Sequence, residues 1–206
     1  QRELVFDESA IFDDEQRQIL IANTNRIASI VKLIPREESD RQEKSGVAQY
    51  NPSYGTPYAV QNTPFLSALG IPCTPPPWGV LTAIDLKTKQ QLWEIPLGTT
   101  QDNAPLGIAL KLGMPNQGGS IVTASGLVFI GATTDNYLRA FETKTGKELW
   151  KARLPAGGQA TPMSYVSSHD GRQYVVIAAG GHAHLGTTLG DYIIAYALPN
   201  PEPSSE

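Results

Sequence analysis

Cysteine is almost missing from this sequence. Cys73 stands alone, so no disulfide can close within the chain, and cysteine usage leaves the redox compartment open. With no His or Lys close to it in sequence, Cys73 reads as inert. Long apolar runs are missing as well: none approaches the roughly eighteen residues of a membrane span, and the residues from Gln1 onward do not open with a charged-then-apolar pattern. Positive charge is scarce. Lys and Arg number 16 against 20 Asp and Glu, a net charge of −4, so no basic field exists for nucleic acid or acidic lipid, and no nucleic-acid partner is expected. There is no CxxC, phosphate loop or serine nucleophile elbow. The chain also lacks an initiating Met, from which we expect a piece of something longer. What is plentiful is glycine (19) and proline (16), with few helical runs. That balance points to turn-rich all-β structure rather than disorder, and 40% hydrophobic content suffices for a core.

The strand pattern repeats. Residues 118–131 and 137–150 read as consecutive short strands: an apolar run, a Gly stop, a second run with Val128, Phe129 and Ile130, then Tyr137 to Phe141 around Arg139, and a Thr145-Gly146 turn into Glu148-Leu149-Trp150. Leu81 to Trp93 matches Leu138 to Trp150 at a constant offset of 57 residues. Ile193 to Leu198 echoes Tyr137 to Phe141 but stops before any tryptophan. Repeats of about 40 to 50 residues with four short strands and a recurrent Trp mark propeller blades, and insertions lengthen the period. The expected fold is therefore all-β, a partial β-propeller, with Trp93 and Trp150 buried between neighbouring blades.

Between the repeats the chain is uneven. Asp13-Asp14-Glu15 reads as a polar turn before the strand-like runs at 18–23 and 27–34, and Asn23 and Asn25 read by themselves as turn chemistry. Residues 36–77 combine a charged piece with seven prolines, a spacing that fits no long strand or helix beyond one helical turn. We expect a long, ordered surface loop there, its Tyr50, Tyr54, Tyr58 and Phe65 packed against the body. Residues 1–198 would form the blades, and 199–206 a disordered tail.

One cluster invites chemistry. In His182-Ala183-His184, positions two apart on a strand share a face and neutral imidazoles bind zinc or copper, but the spacing fixes no third ligand, so no metal residue is assigned. A His182 and Asp191 general-base pair is equally conceivable from residue types, and spacing does not test it.

The two Ala-x-Asp/Glu-x-x-Thr-x-x-x-x-x-Trp signatures, with Asn103-Ala104-Pro105-Leu106-Gly107, the run from Arg153 to Met163 and Ala179-Gly180-Gly181-His182, resemble the C-terminal part of membrane-bound PQQ-dependent dehydrogenases of the glucose and quinate dehydrogenase type. The likeness extends from about Ile19 to Pro199. It implies a large eight-bladed quinoprotein propeller, of which about three blades are here. It also implies PQQ with a divalent cation, calcium or magnesium, bound upstream of this chain, and a periplasmic position at the bacterial inner membrane, anchored by a segment not in this chain. A sugar or cyclic polyol (glucose, or quinate and shikimate) would lose its hydroxyl proton to a base and a hydride to the quinone, and electrons would pass to ubiquinone through the membrane domain. The remaining N-terminal blades of the same protein would be the first partner, and this fragment alone would be inactive.

Two family positions carry over to this sequence. Asn23 matches a cofactor-contacting asparagine, expected to donate a hydrogen bond, and His182 matches the histidine of the Gly-Gly-His motif on the substrate and cofactor side, not the base. The base and the metal ligands fall outside the chain. Two departures bear on the reading: Lys89 stands where the repeat hairpin usually has Gly, which predicts a looser first hairpin, and Asn23-Thr24-Asn25 differs from the glucose-oxidising form, which leaves quinate or shikimate open. The competing class is a non-catalytic scaffold built from PQQ-like repeats, from which Asn23 and Gly181-His182 are the discriminating features.

Overall fold

The computed structural model describes residues 11–14, 17–44 and 53–198. In chain order its strands begin with β1 (Ile11–Asp14), β2 (Ile19–Asn25), β3 (Ser29–Pro35), β4 (Tyr58–Pro64), β5 (Gly79–Asp85), β6 (Gln90–Pro96) and β7 (Ser120–Val122). They continue with β8 (Leu127–Ile130), β9 (Tyr137–Glu142), β10 (Glu148–Arg153), β11 (Met163–Val166), β12 (Gln173–Ala179) and β13 (Tyr192–Ala197). One α-helix, α1 (Arg36–Lys44), follows β3. The described residues fall into two compact units, divided after Arg26 and after Pro75.

The larger unit holds three antiparallel sheets, ordered β1-β2-β5-β6, β7-β8-β9-β10 and β11-β12-β13. Each sheet is thin, and it buries its apolar faces only against its neighbours. Ile19, Ile21, Leu81, Ala83 and Leu97 of the first sheet and its exit pack with Val128, Ile130, Ala132 and Phe141 of the second. On the other side of the second sheet, Leu138, Leu154 and Ala156 pack with Val175, Ile177 and Ala179 of the third. The short first strands β1 and β7 lie beside each other. Alternation explains the split: in β9, successive side chains point to opposite faces, so Leu138 serves one interface and Phe141 the other.

The 57-residue repeat is reproduced down to its irregularity. Ala83 pairs with Trp93 and Ile84 with Gln91, so Leu92 is squeezed out of register; Ala140 pairs with Trp150 and Phe141 with Glu148, so Leu149 is squeezed out likewise. This bulge re-aims each Trp along its strand. Trp93 is half-buried over the β9–β10 turn, where its Nε1 donates to the Thr143 carbonyl at 2.9 Å. Trp150 makes the corresponding move onto the third sheet, edge-on to Tyr196 with ring centroids 5.0 Å apart.

Several expectations need correction here. The two repeat tryptophans are not buried: Trp93 is intermediate and Trp150 is 38% exposed. The turn that covers Trp93 follows β9, and its counterpart would follow β13, at the limit of the described residues. Asp13 and Asp14 are strand residues of β1 rather than a turn. The 36–77 segment is not an irregular loop, because it contains α1 and β4 and belongs, with β3, to the smaller unit. There β3 and β4 pair over their whole length, from Ser29 with Pro64 to Pro35 with Tyr58. Arg36 at the start of α1 ties that unit together, donating to the carbonyls of Ser53 (2.6 Å) and Thr56 (3.1 Å). The prolines at 57, 64, 72, 75, 76 and 77 do not forbid structure, because they fall at strand ends or between elements, as at the end of β4, and Pro52 lies outside the described residues. Tyr54, Tyr58 and Phe65 are exposed rather than buried, and Tyr50 and the 199–206 tail lie outside the described residues.

The first hairpin is not looser than the second. Lys89 takes the left-handed conformation (φ 58°) that Gly146 takes in the second hairpin (φ 70°), and its N–H donates to the Asp85 carbonyl at 2.7 Å. Asp85 Oδ1 accepts from the N–H groups of Lys87 and Thr88, both at 2.8 Å. The Thr88 bond foremost, with that from Lys87, outweighs desolvation and holds the carboxyl below its usual range.

Within the second sheet lies a fully buried ion pair. Arg139 in β9 donates through both terminal nitrogens to Asp135, its Nη1 reaching Oδ1 at 2.9 Å and its Nη2 the other oxygen. Thr133 Oγ1 also donates to Asp135 Oδ1 at 2.6 Å, and Thr99 gives Oδ2 both its N–H (2.7 Å) and its hydroxyl (2.9 Å). Glu148 approaches the Arg139 Nε at 3.4 Å. Burial by itself would raise the Asp135 pKa, but the hydrogen bonds and charge of Arg139, with Thr133 and Thr99, bring it below the ordinary value.

Two outcomes are expected. Asp135→Asn should cost about 3–5 kcal/mol in urea unfolding at neutral pH, because it leaves Arg139 buried without its countercharge. The folded Asp135 pKa lies below the unfolded one, about 3.9, so its contribution is complete above that pH and is lost as pH falls toward the folded value. The wild type should therefore lose stability more steeply than the variant below about pH 4; parallel acid limbs would contradict this. Lys89→Gly should raise stability by about 0.5–1 kcal/mol in the same measurement by relieving left-handed strain, and no gain would show the strain to be absent.

Candidate functional site

The antiparallel order gives the larger unit two ends. At one, tight turns join β5 to β6, β7 to β8, β9 to β10 and β11 to β12; at the other lie the longer connections 97–119, 131–136, 154–162 and 180–191. Both residues singled out by the family resemblance are at the long-connection end, Asn23 near the close of β2 and His182 just past β12.

Asn23 is buried, and its amide is committed. Nδ2 donates to Asn116 Oδ1 at 2.8 Å and to the Gly118 carbonyl at 3.1 Å. Asn116 is held in turn: its Nδ2 donates to the Thr24 and Met114 carbonyls at 3.3 Å, its N–H to Asn25 Oδ1 at 2.9 Å, and its carbonyl accepts from Asn25 Nδ2 at 2.8 Å. Rotating the Asn23 amide would set oxygen against two acceptors, so its orientation is fixed. Only Oδ1 remains, buried and without a partner. The sense of the expected hydrogen bond is thus reversed: this side chain has an acceptor to offer, not a donor.

His182 is half-buried, and its Nδ1 is a buried atom without a partner. Asp191 therefore does not orient the ring through Nδ1. The His184 ring is 5.8 Å away, tilted and exposed, and among the described residues no group of three or more His, Cys, Asp or Glu could hold a metal ion. The His182 N–H donates to Thr187 Oγ1 at 2.7 Å, Thr187 Oγ1 to Gln159 Oε1 at 3.1 Å, and Gln159 Nε2 to the Thr133 carbonyl at 3.1 Å. Gly118, which accepts from Asn23, packs directly on the Gln159 backbone. Hydrogen bonds, joined by the close backbone contact of Gly118 with Gln159, therefore connect the two residues across all three sheets.

Two further buried atoms at this end lack partners, Ser120 Oγ at the start of β7 and Asn136 Oδ1 before β9. A buried polar atom without a partner costs about 1–3 kcal/mol, and four at one end of the sheets mark where a polar group of matching chemistry would be stabilised. Neither these residues nor Asn116, Gln159 and Thr187 were assigned roles from sequence. Gln159 lies inside a quoted motif; Asn116 has no local signal, because its partners are about ninety residues away.

The sequence pattern of the PQQ family described as glucose/ethanol/alcohol dehydrogenase, β-propeller domain, matches residues 8–175. The chain belongs to that family. Quinoprotein glucose dehydrogenase A of Acinetobacter calcoaceticus is 46% identical to it over 202 residues, covering 95% of this chain and 25% of that protein. The quinate/shikimate dehydrogenase (quinone) of Acinetobacter baylyi is 49% identical over 201 residues, covering 92% and 25%. Among solved structures, a quinohemoprotein alcohol dehydrogenase from Pseudomonas putida superimposes with a TM-score of 0.62 at 22% identity, covering 99% of this chain and 30% of that one, a likeness of fold. The chain spans about a quarter of the length of the curated relatives it matches. The all-β propeller reading and the quinoprotein resemblance are borne out, and PQQ is the cofactor that the family implies.

Removing the asparagine hub tests the geometry. Asn116→Ala strands the Thr24 and Met114 carbonyls and removes one of the two acceptors of the Asn23 amide, while Asn25, bonded to the Asn116 backbone, keeps its partners. We expect a loss of about 2–4 kcal/mol in denaturant unfolding, from more than one orphaned buried group; a loss under about 0.5 kcal/mol would mean that Asn116 organises nothing.

Proposed function

We propose that this chain is the C-terminal segment of a periplasm-facing PQQ-dependent dehydrogenase that oxidises a hydroxyl group of a sugar or cyclic polyol and passes the electrons to ubiquinone. Its blades would occupy residues 1–198, closing on N-terminal blades of the same protein, with an inner-membrane anchor outside this chain. No helix among the described residues is long and apolar enough to cross a membrane. The observation that carries the reading is local: the two residues that match family site positions, Asn23 and His182, each present a buried side-chain atom with no partner at the same end of the sheets.

These atoms fit PQQ chemically. Asn23 Oδ1 accepts only, and the pyrrole N–H of PQQ is a donor that it can take. His182 Nδ1 can accept a hydrogen bond or, in the other tautomer, donate one to a carbonyl or carboxylate oxygen. When bound, PQQ supplies the electrophilic ortho-quinone that takes up the substrate's reducing equivalents. The work of this chain is then orientation: Asn23 fixes one edge of the cofactor, and His182 bounds the substrate side of the cavity. The divalent cation, calcium or magnesium, and the general base would come from residues upstream. A scaffold reading has no use for a histidine held among glycines with an unpartnered ring nitrogen.

The test is reconstitution of the full-length protein with PQQ and calcium, followed by assays with quinate and glucose. Asn23→Ala should weaken PQQ binding by roughly one hydrogen bond to a strongly polar group, about 1.5–3 kcal/mol. His182→Ala should lower turnover or PQQ affinity without changing the unfolding midpoint. Unchanged PQQ affinity and turnover in both variants would overturn the site, and a full-length protein that binds no PQQ would return the scaffold reading. The 206-residue chain alone should show no dehydrogenase activity with added PQQ.

A further inference from the structure

The segment Ala156-Gly157-Gly158-Gln159-Ala160-Thr161-Pro162 makes no hydrogen bond to either of the atoms assigned above to cofactor or substrate, yet it is tightly built. An added Cβ at Gly157 would overlap both Gln159 Oε1 and Thr187 Oγ1, so only glycine leaves room for the hydrogen bond between those two side chains. The Gly157 backbone completes the arrangement: its N–H donates to the Thr188 carbonyl at 2.9 Å, and its carbonyl accepts the Gly181 N–H at 2.8 Å. The 180–190 connection is thus pinned at Gly181, His182, Thr187 and Thr188, on both sides of the His182 ring. Thr187 is buried, and its hydroxyl is the single atom that both accepts from the His182 N–H and donates to Gln159.

We propose that Gln159 and Thr187 are positioning residues, which hold the His182 backbone so that its unpartnered Nδ1 faces the reacting groups. This rests on the reading of His182 as a substrate-side residue. The physical argument is one of rigidity. His182 begins a one-turn 3₁₀ helix with no side-chain cap, in a connection whose other residues are mostly exposed. Bonds within the connection, such as Leu185 N–H to the His182 carbonyl at 3.2 Å and Gly190 N–H to the Gly180 carbonyl at 3.1 Å, shape it, and this pair with the Gly157 backbone ties the ring's base to the second sheet. Gln159 is fixed in turn through Nε2 to the Thr133 carbonyl, and Thr133 also donates to Asp135 in the buried ion pair. The His182 connection is therefore referenced to the buried ion pair of the second sheet, rather than to its own sheet alone. Catalytic groups misplaced by about an ångström lose rate steeply, which makes such a reference worth having.

The experiment uses the full-length protein reconstituted with PQQ and reads three quantities: KM and kcat for the better of quinate and glucose, PQQ affinity by fluorescence titration, and the unfolding midpoint. Thr187→Val keeps the shape and removes the hydroxyl, and Gln159→Met keeps the length and removes both polar atoms. Each should weaken kcat/KM or PQQ affinity about tenfold, the worth of one buried hydrogen bond, and Thr187→Ser should restore most of the loss. In a His182→Ala background, Thr187→Val should add less than about twofold, because a positioning residue has nothing left to position. Full additivity of the two changes would overturn the proposal, as would a Thr187→Val enzyme with unchanged kinetics and PQQ affinity. If Thr187→Val proves unstable, Gln159→Met combined with His182→Ala provides the same cycle. Failure of the underlying reading looks different: His182→Ala would then itself leave kinetics and PQQ affinity unchanged.

Discussion

The carboxylate of Asp135 is the constraint around which the rest is arranged. It is fully buried, and it is kept ionised only because Arg139, Thr133 and Thr99 surround it with donors. Taking two charges out of water costs several kcal/mol per ion unless their bonding is complete, so the pair tolerates little displacement of any group around it. Those groups come from different places: Thr99 from the exit of the first sheet, Thr133 from the β8–β9 connection, Arg139 from β9 and Glu148 from β10. The long connections, the part of a propeller with most freedom, are thereby tied to a core position. Thr133 passes the constraint on through its carbonyl, which accepts from Gln159.

What could be read from the sequence was what repeats. The offset between Leu81 to Trp93 and Leu138 to Trp150 carried not only strand positions but pairing register and the bulge at Leu92 and Leu149, because all are set by the same alternation of residues. Lys89 shows where substitution patterns mislead. A left-handed turn position costs a non-glycine residue about 1–2 kcal/mol, a sum that the remaining hydrogen bonds of the Asp85 turn cover without opening the hairpin. In the 36–77 segment the placement of the prolines, not their number, decides the structure: β4 ends at Pro64, where its missing N–H is not needed.

The site was legible only in part, for a related reason. Asn23 and His182 were found through motif resemblance, and both lie at the end of the sheets where unpartnered buried atoms gather. The direction of the Asn23 hydrogen bond could not be read, since it is decided by Asn116 and Gly118, more than ninety residues on, which take both of its donors. Ser120 and Asn136 gave no signal, because a serine opening a strand and an asparagine in a left-handed turn position are ordinary local chemistry. Long-range partners convert such residues from punctuation into site, and one sequence does not display them.

Apolar packing and the polar site are not separate matters in this architecture. Asn23 stands on the first sheet, Gly118 and Thr133 on the connections of the second, and His182 on the third, so their spacing is set by how closely the sheets pack. That packing consists of small and branched residues in two clusters, with alanines at 83, 132, 156 and 179 fully buried. Enlarging any of them would wedge two sheets apart, since close-packed interiors transmit strain rather than absorb it. Among the described residues the first and third sheets each pack on one side only, and on the far face of the third Met163, Tyr165 and Ile193 stand exposed, at 55%, 43% and 80%. In stacked architectures each unit is stabilised through its interfaces with the next. The sheet that carries His182 is therefore packed on one side only, and the hydrogen bonds through Thr187 and Gln159 bind its connection to the second sheet, which is packed on both.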